Sequence, residues 1–386
     1  MSPNSPTIAQ PRRTLLPVFA ACAAIGLQAG VGMPLVPLAL EQQGESKLII
    51  GIVSACWPIG MLAFGTRIPA LAARFGAVPA IIGSVVIGAL INASYTITSG
   101  PVAWALLNFL HGVIGGVPWV VSEIWMNVVV EEKQRGRVMG VYSALVALGL
   151  ALGPMVLQVV GVYGPVPFLT GAALSLLVAL PLLPSWRTAP LIRVDAASGF
   201  ATVVVLAPLA MFAAFACGLG EQVAFSFLPV YAVGAGVAAD TGALWLSAFV
   251  LGNVVLQWPI GWLADHADRS LVLAGCTLAS TVLVVALSLL PAQWAGTIGV
   301  IAMWGGVSFA IYPVGLALLG QRFRGGDIAR ANTAFSLLYI VGGLVGRPVA
   351  GGAMDVFGDP GLGGSLAVFY LAAGLAAVVA WRRPAG

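Results

Sequence analysis

Apolar residues run nearly unbroken along this chain for about 20 positions or more at a time, the length a helix needs to cross a bilayer. Polar residues collect in the short breaks between the runs. The pattern predicts twelve transmembrane helices, at 14–38, 48–66, 77–98, 102–130, 138–160, 165–184, 203–233, 241–263, 270–290, 294–319, 328–352 and 363–381. Backbone polar groups in lipid must be satisfied within helices or within a closed barrel. These runs are continuous and lack the alternation of barrel strands, so an all-α membrane protein is expected.

Composition narrows the picture. Of the 386 residues 60% are hydrophobic and 8% charged, where a soluble domain carries about a quarter charged residues. No aqueous surface can be built from so few charges. The cations also define an orientation. Arg12, Arg13, Arg67, Arg74, Lys133, Arg135, Arg137, Arg187, Arg193, Arg269, Arg322, Arg324, Arg330, Arg382 and Arg383 fall on one side of the twelve-span arrangement, and Lys47 alone falls in a loop on the other. Cytoplasmic loops are the ones enriched in Lys and Arg, so both termini are expected in the cytoplasm. The net charge of +4 then reflects topology, and no nucleic-acid partner is expected.

The opening "PRRTLLPVFAACAA" has the charged start and apolar core of a signal peptide, and "FAAC" approaches a lipoprotein cleavage site. The apolar run continues to Leu40, too long for a signal core, so it reads as the first span. Cys22, Cys56, Cys217 and Cys276 all fall inside spans, without metal-site spacing, and read as small packing residues.

The most polar interior stretch is Ser185–Gly199. It divides the chain into a six-helix bundle at 1–184, a cytoplasmic linker at 185–200 and a second six-helix bundle at 201–386. Duplicated six-span halves imply a transporter with its site between them. "GLQAGVGMPLVPL" of the first span parallels "GLGEQVAFSFLPV" of the seventh, and Pro37 and Pro229 lie 192 residues apart; so do Leu71 and Leu263. The tetrapeptide "WPIG" also occurs twice, but Trp57 and Trp258 lie 201 apart. Nine residues are about two and a half helical turns, so that identity is read as coincidence.

Four stretches carry a family resemblance: "WVVSEIWMN" running into "RGRVMGVYS", "GLGEQVAFSFLPVYA", "QWPIGWLADHADR", and "AIYPVGLALL" with "ANTAFSLLYIVGGLVGRP". In these the chain resembles the major facilitator superfamily, in its YcaD-like bacterial branch. The resemblance implies two pseudo-symmetric six-helix bundles and secondary transport across a bacterial inner membrane. That superfamily's loop signature, Gly-x-Leu-Ala-Asp-Arg-x-Gly-Arg, has counterparts at Gly261, Leu263, Ala264, Asp265 and Arg269; in the first half Ala73 stands in place of the acid, although Arg74 remains. A carboxylate there can face a helix N-terminus, so Asp265 is expected to latch the start of the eleventh span on the cytoplasmic side. Its proton-antiporter signature, Gly-x-x-x-Gly-Pro, appears as Gly149, Gly153 and Pro154, a close-packing motif first. Where it carries an Arg in the fourth span, this chain has Asn108, which argues against an Arg-based proton relay at that point.

Ionisable groups inside spans cost about 3 kcal/mol or more and are functional by default. Glu123, Glu221 and Arg347 are three. His111, Gly115, Trp119, Glu123 and Asn127 recur every four residues on the fourth span, a polar stripe expected to face a cavity. Glu123, about 12 Å from Glu131 along the helix, is expected to bind a cation or carry a proton; the alternative is a structural hydrogen bond to Asn127 or another span. Glu221 and Arg347 are both placed near the outer ends of their spans, and an ion pair between them is expected, because either charge alone is costly to bury. The pair reads equally as an outer gate, a proton-sensitive switch, an anion site or a fixed staple. Gln28, Asn253, Gln257, Tyr312 and Tyr339 are further cavity candidates, Tyr312 as a rough counterpart of Glu123.

Two lysines and two histidines, His111 and His266 the latter, give no ATP-binding loop and no metal-spaced pair. No enzyme and no cofactor are expected. The expected partners are a small-molecule substrate, protons and the lipid bilayer, with a monomer as the working unit. The reading is a proton-coupled secondary transporter of a small organic solute, working by alternating access. Glu123, Glu221, Arg347 and His111 would serve proton coupling and substrate, and Trp119 and Asn127 would line the cavity with the residues above. A receptor on the same scaffold, or a soft-metal importer using Met33, Met126 and the cysteines, are the alternatives.

Overall fold

The computed structural model describes residues 11–130, 132–186, 189, 206–323 and 326–382. Among them twelve helices are long and apolar enough to span a membrane: Leu15–Gln42, Lys47–Gly65, Ala77–Ser94, Pro101–Val129, Arg137–Val160, Pro165–Ser185, Pro208–Gly234, Ala239–His266, Arg269–Leu289, Ala295–Arg322, Arg330–Phe357 and Pro360–Arg382. Each coincides with a span expected from the sequence, with ends moved by at most five residues. A short helix, Ile68–Phe75, links the second span to the third. Most of the linker expected at 185–200 lies outside the described residues. Large apolar side chains such as Leu90, Val159 and Leu289 are exposed all around the bundle, as a lipid-facing surface requires. Trp186 and Trp381 at the end carrying the termini, and Trp294 at the opposite end, are half-exposed, in the positions where interfacial tryptophans sit.

The two halves repeat the same helix pairings. In the first, span 1 packs on span 5, span 2 on span 4 and span 3 on span 6; in the second, span 7 packs on 11, 8 on 10 and 9 on 12. Lipid gives no hydrophobic drive for these pairings, so small residues at the crossings must let backbones touch. Gly26 and Gly149 meet the carbonyls of Val146 and Ala23; Gly218 and Gly342 meet those of Tyr339 and Phe215. Gly60 and Gly112 meet Phe109 and Trp57; Gly252 and Gly305 meet Ala302 and Phe249. A Cβ at any of these would strike backbone. Equivalent glycines lie 192 or 193 residues apart, the register read from Pro37 and Pro229. Trp57 therefore corresponds to Phe249 and not to Trp258. The same register corrects one expectation: Tyr312 lies opposite Trp119, four residues from the counterpart of Glu123.

The halves meet through span 2 on span 11, span 5 on span 8, and span 1 on span 7. Three hydrogen bonds between described residues join them. The Asp355 carboxylate, in the last turn of span 11, accepts from the backbone N–H of Lys47 (2.8 Å) and Leu48 (2.9 Å) at the start of span 2. Ser247 Oγ donates to the Ala151 carbonyl at 2.6 Å. All lie in the half of the bundle away from the termini. Gly351 and Gly51 there meet the Lys47 and Arg347 carbonyls of the other half. Span 8 shows the contrast along its length: seven of the nine residues Gly242–Val250 are buried, while none from Asn253 to Leu263 is. The molecule is closed at the end opposite the termini and splayed at the end that carries them.

Candidate functional site

A cavity of about 130 Å³ lies at the junction of the two halves. Gln28, Trp57, His111 and Trp119 reach it from the first half, and Gln222, Phe225, Ser226 and Arg347 from the second. A smaller hollow shares Gln28, His111, Gly115 and Trp119 and continues toward Ser84 and Ser175. Of the fourth-span stripe, His111, Gly115 and Trp119 thus line the interior. Glu123 and Asn127, one and two turns further, are exposed toward the splayed end. Glu123 accepts from the Tyr142 hydroxyl at 3.3 Å, while Asn127 donates to the Glu123 main-chain carbonyl at 3.0 Å. Of the alternative expected for Glu123, a structural hydrogen bond to Asn127 or another span, Asn127 reaches only the main chain, whereas Tyr142 of span 5 does bond the carboxylate.

Glu221 and Arg347 are both buried, 4% and 5% exposed, but no direct ion pair joins them. Arg347 Nε donates to Ser226 Oγ at 2.9 Å and Nη2 to Gln222 Oε1 at 2.5 Å. Gln222 Nε2 donates to the Tyr339 hydroxyl (3.2 Å), and that hydroxyl donates to Glu221 Oε2 (2.7 Å). The two charges are therefore joined through Gln222 and Tyr339. Geometry explains the correction. Glu221 sits thirteen residues from either end of Pro208–Gly234, at mid-membrane and not near its outer end, whereas Arg347 lies in the outer half of its span. Gln222 and Ser226, one turn apart on span 7, come between. Cys217, read as packing, also donates its thiol to Glu221 Oε1 at 2.8 Å.

The other candidates scatter. Tyr312 crosses Tyr339 edge-on, ring centroids 5.4 Å apart, and shares a hydrogen bond with Ser336. Asn253 and Gln257 sit on the uncovered stretch of span 8, away from the enclosed cavity. Met33 lines the cavity, but Met126 is in the core of the first half. Asp265 is exposed and makes no hydrogen bond or ion pair with another described residue; the expected latch to span 11 fails because span 8 packs on spans 5, 7, 9 and 10 instead. Arg269 Nη1 donates to the Ala317 carbonyl at 2.9 Å, tying span 9 to span 10. The expected device, a carboxylate on a helix N-terminus, occurs at the opposite end, in Asp355. Its signal was available: an acid in a helix's last turn opposes that helix's own dipole and is better placed serving another helix's start.

The geometry has clear relatives. The chain is 24% identical over 337 residues, 85% of each chain, to the uncharacterized MFS-type transporter YfkF of Bacillus subtilis (strain 168). It is 26% identical over 329 residues, 84% of this chain and 85% of the relative, to the uncharacterized MFS-type transporter YcaD of Escherichia coli O7:K1 (strain IAI39 / ExPEC). Among solved structures, the nucleoside transporter NupG superimposes with a TM-score of 0.77 at 13% identity, covering 96% of this chain and 99% of that one. A bacterial homolog of the human lysosomal transporter Spinster, inward-facing and occupied, gives 0.75 at 16% identity, covering 98% and 100%. The Major Facilitator Superfamily model matches residues 18–208 and 210–385. Paired six-helix halves around a central cavity, with a family match over nearly the whole chain, mean that this multi-pass membrane protein belongs to the Major Facilitator Superfamily of transporters.

Proposed function

We propose that the chain is a proton-coupled secondary transporter of a small organic solute in a bacterial inner membrane, with both termini in the cytoplasm. The observation that carries the reading is the coincidence of two features: a cavity between the halves, and hydrogen bonds between the halves that, among the described residues, lie at one end. In alternating access the halves rock about a fixed site. The excess of Lys and Arg on the splayed end makes it the cytoplasmic one, so this conformation faces inward. Asp265 and span 11 belong to the same half, so closing that end brings Asp265 instead toward span 5, the span of the other half that packs on span 8, while Asp355 releases span 2 at the other.

Glu123 exchanges protons with the cytoplasm through the open end. Glu221 supplies the compensating charge for Arg347 across Gln222 and Tyr339, so a change of charge at either site is felt at the other. A proton moving down its gradient gains about 2.3 kcal/mol per 100 mV, enough for modest accumulation. Ligands that stabilise the purified protein should be tested for flux in proteoliposomes, with and without a pH gradient. Uphill flux should follow the gradient, and Glu123→Gln should abolish that dependence while the protein still inserts. Gradient-independent flux removes the proton coupling, and ligand binding without any flux supports a receptor instead.

A further inference from the structure

Resting on the transporter reading, we propose that the central cavity takes a small organic anion. Its single carboxylate binds Arg347, and its apolar body sits among Trp57, Trp119 and Phe225. Arg347 lines the cavity and is 95% withdrawn from solvent, being 5% exposed. A guanidinium carries five N–H donors in one plane. Two are used, on the neutral oxygens of Ser226 and Gln222. Nη1 is buried and has no hydrogen-bond partner among the described residues. The free donors on Nη1 and Nη2 are adjacent, the arrangement a carboxylate accepts in bidentate fashion.

Two further lining groups are orphaned in the same way. Ser54 Oγ and Tyr95 Oη, both from the first half, are buried with no hydrogen-bond partner among the described residues. Each can donate a proton. Native proteins satisfy nearly all buried polar groups, so three orphans around one cavity require an explanation. An acceptor-rich guest held between the halves supplies one. No carboxylate is among the cavity's lining residues, since Glu123 and Glu221 lie outside it. The formal charge of the wall is therefore that of Arg347, beside the imidazole of His111. Glu221 compensates that charge only at a distance, through Gln222 and Tyr339; a carboxylate guest gives it a direct partner, which a cationic or neutral solute does not. The size fits a compact guest: a cavity of about 130 Å³ is near the roughly 150 Å³ that admits benzene. A benzene-sized body bearing one carboxylate uses both the aromatic walls and the fork.

The test needs no knowledge of the physiological solute. Benzoate, hexanoate and the neutral isostere benzamide are titrated into the purified full chain by calorimetry. Benzoate should bind at least tenfold more tightly than benzamide. Arg347→Gln should lose at least tenfold of the benzoate affinity and a smaller factor for benzamide, whose neutral carbonyl is held more weakly, and Arg347→Lys, with the charge but not the fork, should fall between. Equal affinity for benzoate and benzamide overturns the proposal, as does binding of neither carboxylate by the wild-type protein. The wild-type comparison decides even if Arg347→Gln misfolds. Flux in proteoliposomes separates the two readings. Benzoate bound but never moved keeps the anion site and removes transport; neutral solutes moved while carboxylates do not bind keeps transport and removes the anion site.

Discussion

Removing the Asp355 carboxylate should loosen the closed end of the molecule. This side chain reaches from span 11 to the first two backbone N–H groups of span 2, at 2.8 and 2.9 Å. Ser46 Oγ separately accepts from Ile49 N–H at 3.3 Å. Span 2 therefore keeps a cap of its own, and the loss falls on the contact between halves. Losing a capping acceptor costs about 1 kcal/mol. Losing a negative charge at an exposed helix N-terminus costs roughly a further 0.5 kcal/mol. Every 1.4 kcal/mol is a factor of ten, so Asp355→Ala should shift the closed-to-open ratio at that end by about tenfold. Asp355→Asn keeps an acceptor oxygen and should shift it only about twofold, an effect that fades with added salt. Spin labels at Ser99→Cys and Ala238→Cys, exposed at this end on opposite halves, report the separation by pulsed electron resonance. Native Cys22, Cys217 and Cys276 are buried and Cys56 half-buried, which limits background labelling. The expected result is a growing long-distance population in the order wild type, Asn, Ala. An unchanged distribution in the Ala variant, or an Asn effect as large as that of Ala, refutes the latch.

Two further outcomes test the neighbouring geometry. Gly351→Val places a Cβ against the Lys47 carbonyl of the opposite half. Backbone cannot rotate away as a side chain can, and such overpacking costs about 1–3 kcal/mol; the same spin-label pair should show the closed population reduced, with thermal unfolding little changed, and a closed population equal to wild type counts against the contact. Asp265→Ala should slow proteoliposome flux several-fold while leaving membrane insertion and the spin-label distances at the far end unchanged, because Asp265 engages only when the cytoplasmic end closes; full-rate flux excludes that role.

The spans were legible because the bilayer imposes one demand that composition cannot hide, about 20 apolar residues per crossing. The repeat was legible for a related reason. Pro37 and Pro229 fall in the same register as the glycine crossings, Gly26 with Gly218 and Gly60 with Gly252, since both reflect backbone geometry. The polar network was less legible. Even on the expected bounds of 203–233 Glu221 lies only three residues past the midpoint, so its outer-end placement did not follow from the pattern, and the described helix Pro208–Gly234 puts it at the centre. Charge complementarity then suggested a direct bond to Arg347, although the side chains between them, Gln222 and Tyr339, carry the right donors and acceptors to relay it. Opposite charges in a sequence indicate that compensation is needed; they do not say how many neutral groups it passes through. Ser54 and Tyr95 gave no sequence signal, because an orphaned hydroxyl is defined only by what fails to surround it.

The symmetry of packing and the asymmetry of chemistry have one cause. The glycines that repeat at 192 or 193 residues meet backbone carbonyls, and backbone is the same in both halves, so divergence of side chains leaves those crossings intact. The charged positions are under no such constraint. By the same register Glu221 corresponds to Ala29 and Arg347 to Pro154, the proline that closes the first half's Gly-x-x-x-Gly-Pro. Where the first half has a rigid small-residue crossing of span 5 on span 1, the second has put a guanidinium at the matching point of span 11 and a carboxylate on span 7. Both charges therefore belong to one rigid half, and the other hydrogen-bonding members of the network, Cys217, Gln222, Ser226 and Tyr339, belong to it too. A rocking motion that moves one half against the other leaves this relay unbroken and changes only what the first half presents to it, namely Trp57, Ser54 and Tyr95. In the proposed cycle the second half then keeps the Glu221–Arg347 relay fixed, and the first half is the moving wall that also carries Glu123.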